Sequence, residues 1–341
     1  MKISVQKSNQ LKSIAILMML FLHLFNRDYH GVFKPLIFFG SQPLSYYISL
    51  FCDACLPIFA FVTGYGLFYK YRQNSSIYNK LNFIRLKKLY INFWIILVIF
   101  AVILGTILQV NGYPGSMVKF ILNFTAVNPT YNGAWWFLTI YILFVLTSSF
   151  WFFLLNRINP YAYFAILLLI YIPAFYIRIY VPLNFDDVFL NWFQQYSALY
   201  FCTLFQFMAG GFALKYDWHR KFSAVFSKMP QRNWLSLLLI SLLIVLHGII
   251  PNFFVAPFTA LGFIFLFLQL DFSPVLNVVL DFFTPHATNI WLVHMFFYLI
   301  FFSDLVYSFT YVLPIFVVLL LLSLLSSYVI NLFNKPIQKW L

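Results

Sequence analysis

Long apolar runs, broken by short polar punctuation, fill nearly the whole chain. They fall near 11–30, 47–68, 89–110, 134–155, 161–180, 196–215, 235–251, 254–270, 287–305 and 311–333. Each is close to the roughly 17–25 residues a helix needs to cross a hydrocarbon core about 30 Å thick. The pattern predicts about ten transmembrane helices. Within 235–270 the string HGIIPNFFVAP leaves two options, a tight turn between two spans or a break inside a re-entrant one. The longest connections on one side, 31–46 and 111–133, are too short to fold alone, so one membrane-embedded domain over 1–341 is expected. No signal-peptide cleavage pattern precedes the first run, which is expected to remain as a helix. No internal repeat is evident, which argues mildly against transporters built on inverted repeats.

Composition narrows the class to an all-α polytopic integral membrane protein. Of 341 residues, 63% are hydrophobic and 9% charged, against about 25% charged in a soluble domain. The 46 Phe and 23 Tyr suit lipid and its interfaces. The net charge of +13 does not point to nucleic acid, because in a membrane protein the placement of Lys and Arg matters more than their total. With the N-terminus in the cytoplasm, basic residues cluster on the inner side, in 2–12, 70–88, 157, 215–232 and the tail. The outer side keeps Arg27, Lys34, Lys119 and Arg178 alone. Both termini are therefore expected to be cytoplasmic. All eight acidic residues are Asp, which narrows the candidate acids and bases. Cys52, Cys55 and Cys202 make no disulfide framework, and the Cys52–Cys55 spacing lacks a redox context, so packing cysteines are expected.

Against this background a few polar side chains stand out. Lys12 and His23 are eleven residues apart, about three helical turns plus about 20°, so they share one face roughly 16 Å apart along the axis. That puts Lys12 at the inner interface and His23 at or beyond the midplane. A snorkelling lysine and a histidine bonded to a neighbouring helix would explain them blandly, but an ionisable group at that depth is usually functional. Arg85 and Lys88 sit i, i+3 at the inner end of the third span, either as ordinary anchors or as a clamp on an anionic cytoplasmic ligand. Asp53 is expected at the outer end of the second span, ahead of a Thr63-Gly64-Tyr65-Gly66 run that permits close backbone approach. Trp135 and Trp136 mark an outer boundary, either as belt residues or as a platform for a sugar face. FMAGG at 207–211 reads as a helix-packing glycine pair, and His294 lies inside the ninth span, where a bonded structural histidine is the commoner case.

Taken together, these elements resemble the acyltransferase-3 superfamily of integral-membrane acyltransferases. Lys12, ten residues, then His23 is similar to its [RK]-x10-H signature, and Arg85-Leu86-Lys87-Lys88 to its RxxR motif with Lys in the last place. LPIFAFVTGYGL, AWWFLTIYI, FMAGG and IWLVHM resemble further apolar segments of the family, so the resemblance covers nearly the whole chain. Lys88 keeps the charge of the final arginine but not its bidentate fork. Some relatives append an extracellular esterase-like domain. The present chain is expected to hold one membrane domain and to complete transfer itself or hand off to a partner.

The resemblance implies transfer of an acyl group, most often acetyl from cytoplasmic acetyl-CoA, to a carbohydrate hydroxyl. His23 is then the expected general base, with Asp53 orienting it or holding sugar hydroxyls. Lys12, Arg85 and Lys88 are expected to bind the polyanionic acyl-CoA, aided by the 215–232 loop. Trp135, Trp136 and His294 are expected at the acceptor. No metal is expected. The implied setting is a bacterial cytoplasmic membrane, with a capsular or exopolysaccharide sugar, free or lipid-linked, as acceptor and with membrane lipids and polysaccharide-assembly proteins as neighbours. Three rival classes remain, of which a structural scaffold would make no single polar residue matter. A lipid-linked glycan flippase would need no Lys12–His23 separation and would ignore CoA. A polysaccharide polymerase would usually carry a large basic outer loop.

Overall fold

Local chemistry sets the helix boundaries in the computed structural model, which describes residues 2–27, 30–250 and 253–339. The Ser4 hydroxyl accepts from Lys7 N and opens α1, Val5–Phe25. A two-residue hairpin, β1 (Phe38–Phe39) against β2 (Gln42–Pro43), follows. The chain returns through α2 (Leu44–Phe51), a 3-10 turn over Cys52–Ala54 and α3 (Cys55–Gln73). Next come α4 (Tyr78–Ile96), a π-helical stretch Leu97–Leu104 and α5 (Gly105–Ile107). The 111–133 connection holds the short α6 (Met117–Phe124). Then α7 (Trp136–Arg157), α8 (Pro160–Ile179) and α9 (Val188–Lys215) cross in turn. Asn159 caps α8 just ahead of Pro160, whose missing N–H costs nothing at that position. The rest comprises α10 (Trp218–Phe226), α11 (Arg232–Ile249), α12 (Ala256–Phe267), α13 (Pro274–Phe283), α14 (Ala287–Met295) with a π-helical extension Phe296–Phe301, α15 (Ser303–Tyr307) and α16 (Val312–Gln338).

Among the described residues, eight helical segments are long and apolar enough to cross a membrane, so the chain is an all-α polytopic membrane protein. The other two expected spans are present but shorter. α12 has 12 residues, about 18 Å of helix. α14 with its extension stops at Phe302, whose backbone leaves the helical region at φ −131° and ψ 34°. Between α11 and α12 the chain turns, and the two helices pack on each other, so 235–270 holds two segments; residues 251 and 252 of that turn lie outside the described residues. The outward faces of α8, α11 and α16 carry exposed Leu, Ile, Val and Phe, as a lipid-facing surface requires.

The centre is α9, nearly every side chain of which is buried from Tyr196 to Leu214. Its most extensive partner is α3. The two backbones nearly touch at Gly64 and Gly210, where a Cβ would stand 1.8 Å from Phe207 O and 2.1 Å from Phe61 O respectively. A second join is polar. Asn92 of α4 donates to Asn289 of α14 at 2.7 Å and accepts from Asn334 of α16 at 2.7 Å, while Asn289 donates to Ser327 at 3.0 Å. Buried amides bind neighbouring helices where apolar surface offers no preference between partner and lipid. Asn289→Leu strands the Asn92 amide and should cost about 1–3 kcal/mol, read as a lower melting temperature in detergent.

The helix ends divide by charge. At the basic end, Lys7 Nζ donates to Leu270 O at 2.6 Å, Gln6 bonds Asp281, and Arg232 pairs with Asp271. At the opposite end, Arg27 bonds the Tyr307 hydroxyl and Lys34 bridges to Tyr311.

Candidate active site

A cavity of about 530 Å³ reaches from the basic end toward the opposite end, walled by α1, α3, α4, α7, α8 and α14. On α1 its lining is Lys12, Met19, Leu22 and His23, the face that 3.6-residue periodicity assigns. Lys12 and His23 are both half-buried. The middle of the cavity is apolar, with Met19, Leu22, Leu56, Phe59 and Val62 on its walls.

At the basic end Lys12 is joined by Arg85, Thr284 and Thr288. Arg85 is held in place by α7 through one intermediary. Its guanidinium donates to Asn82 Oδ1 at 2.8 Å, and Asn82 donates in turn to Val145 O at 3.1 Å. Arg85 also borders a second depression shared with Lys70, Tyr78, Asn82 and Lys88. Lys88 therefore faces this antechamber rather than the main cavity. The 215–232 loop does not line the cavity: Lys215 donates to Leu155 O at 2.6 Å, Arg220 pairs with Asp217, and Arg232 with Asp271.

Toward the opposite end, His23 is accompanied by Asp53, Cys55, Trp136, Trp291 and Arg178. Asp53 sits on the 3-10 turn where α2 passes into α3, nine residues inside a continuous helical segment that begins at Leu44. Trp136 faces the cavity, whereas Trp135 is fully buried, its indole donating to Leu292 O at 2.8 Å and its ring edge-on to Phe93 at 4.8 Å. Trp135 has no cavity surface for an acceptor to meet. His294 is also fully buried and does not line the cavity; it packs against His23, with ring centroids 5.0 Å apart.

The family model described as an acyltransferase domain matches residues 6–332, nearly the whole chain and every wall of the cavity. The chain belongs to the acyltransferase-3 family. Neither the curated proteins nor the solved structures supply a match.

Membership makes this protein a membrane acyltransferase, and the cavity brings charged groups of several helices together across apolar walls. Arg178 is a lining residue of this acyltransferase that the sequence pattern showed only as an outer-side charge at the end of the 161–180 run. It lies in the last turn of α8, 5.2 Å from the Trp136 ring centroid, and interacts with Cys202 of α9 and with Asp53. Only the Arg in an otherwise apolar YIPAFYIRIY string signalled it, and an anchoring role at the interface explains that signal equally well.

Proposed function

We propose that this acyltransferase moves an acyl group, acetyl in the simplest case, from cytoplasmic acyl-CoA to a hydroxyl of a cell-surface or exopolysaccharide sugar. The observation that carries the reading is the single cavity joining Lys12 and Arg85 at one end to His23 near the other. Phosphates are matched by Arg and Lys; the long, weakly polar pantetheine arm is matched by the Met19, Leu22 and Val62 walls. His23 stands where a thioester threaded from the basic end meets a hydroxyl arriving from the other. His23 takes the hydroxyl proton as oxygen attacks the thioester carbonyl. The carbon–sulfur bond then breaks, and the imidazolium returns the proton to the departing thiolate. The basic end is the cytoplasmic end in this reading, both termini are inside, and a bacterial cytoplasmic membrane is the setting.

The test is a titration of the purified protein in lipid nanodiscs with acetyl-CoA. Saturable binding is expected, weakened about 10- to 100-fold in Arg85→Ala, the range of a lost charge-assisted hydrogen bond. Lys88→Ala should weaken it less, since Lys88 faces the antechamber. Absence of binding in the wild type would remove acyl-CoA as donor.

The acceptor end is assigned to Trp136, Arg178 and Asp53. An indole offers a face to a pyranose ring, and a guanidinium with a carboxylate offers donors and acceptors to its hydroxyls. Trp136→Ala should raise the KM for the polysaccharide acceptor about 3- to 10-fold, with acetyl-CoA affinity unchanged. Equal losses in donor and acceptor binding would place Trp136 elsewhere in the mechanism.

A further inference from the structure

We propose that His294 is the positioning partner of His23, its Nε2 accepting an N–H from His23 in a bond that strengthens once His23 has taken up the substrate proton. The inference rests on His23 being the base in the reading above.

His294 Nδ1 lies 2.7 Å from Trp291 O. A carbonyl oxygen only accepts, so Nδ1 carries the hydrogen and Nε2 holds a lone pair. That Nε2 is fully buried and has no hydrogen-bond partner among the described residues. A buried acceptor left unpaired costs stability, so its retention calls for a partner at some stage of the protein's work.

His23 supplies one. The two imidazole centroids are 5.0 Å apart with planes inclined at 37°, so a modest turn of His23 about its ring torsion brings nitrogens of the two within hydrogen-bond reach. Tyr298 stacks beside both, 6.2 Å from His23 and 5.9 Å from His294 between ring centroids. A neutral His23 needs its lone pair for the acceptor hydroxyl. Its other nitrogen already carries an N–H, and proton uptake turns that N–H into a charged, stronger donor. The proton taken up is returned to the thiolate, while the N–H on the other nitrogen requires an acceptor. His294 Nε2 is the acceptor at hand. The bond is strong only while His23 is charged, so it acts on turnover rather than on binding. His294 touches neither substrate and is a positioning residue.

The experiment compares His294→Phe, His294→Gln and His23→Ala in nanodiscs, with acetyl-CoA as donor and the cell's own polysaccharide-bearing membranes as acceptor. His294→Phe should lower kcat about 10- to 100-fold with the KM for acetyl-CoA unchanged. His294→Gln, whose amide oxygen can accept, should recover most of that loss. If His294→Phe binds acetyl-CoA and keeps kcat within about twofold while His23→Ala is inactive, the inference is overturned and His23 stands as base. If His23→Ala itself turns over normally, the reading beneath it falls first. A second readout avoids His294 variants. In protein labelled with ¹⁵N-histidine, protonating His23 should displace the His294 Nε2 resonance, and His23→Ala should abolish the displacement. A His294 signal that moves identically in both proteins overturns the inference as well.

Discussion

His23→Ala is expected to lower acyl transfer by about 10²- to 10⁴-fold, the contribution of a positioned general base, and to leave acetyl-CoA binding intact. The expectation follows from where the side chain stands. It leaves the last turn of α1 for the cavity, and it is the cavity's one lining histidine among the described residues. Truncation removes the imidazole without disturbing the helix, since Ala has the highest helix propensity and the lost ring faces open space on one side. Lys12 and Arg85, which are assigned to the donor, lie about three turns away along the same cavity. Isotope transfer from labelled acetyl-CoA measures turnover, and a parallel titration measures binding. Loss of both together would mean that His23 supports the fold or the donor site instead.

Gly210→Val is expected to be the most damaging substitution for the fold. Any Cβ there meets Phe61 O at 2.1 Å and Tyr65 N at 2.6 Å, both backbone atoms of α3. A side chain could rotate away; a helix backbone cannot. The cost should exceed the roughly 1–3 kcal/mol of ordinary overpacking and appear as loss of a monodisperse, melting species in detergent. Gly66→Ala is the matched control, because nothing lies within 4 Å of a Cβ at that position. Comparable melting of the two variants would show that α3 and α9 are not locked at this crossing.

Helix periodicity alone aligned Lys12 with His23, because that relation is local to one helix and a fixed 3.6-residue repeat carries it over eleven residues. The spans were legible for the same reason. What escaped was set by pairs far apart in the chain. Thr63-Gly64-Tyr65-Gly66 showed two equivalent glycines, yet Gly64 meets Phe207 and Gly66 faces the cavity. Trp135 and Trp136 are neighbours with one composition, and only the carbonyl of Leu292, 157 residues on, draws Trp135 inward. Arg178 joins the site through Trp136 and Cys202, contacts that no window of sequence contains. Within the basic loop at 215–232, Lys215, Arg220 and Arg232 bind Leu155, Asp217 and Asp271, pairings that lie far apart or depend on the fold and that composition does not show.

A cavity that runs most of the way across a membrane with cations at both ends would be a leak if water filled it throughout. Met19, Leu22, Leu56, Phe59 and Val62 give its waist apolar walls, which hold a file of water or ions poorly. The proposed donor route would thus admit a long, thin thioester arm through a stretch that holds ions poorly. Opening that waist with polar side chains would trade a selective passage for a conductance.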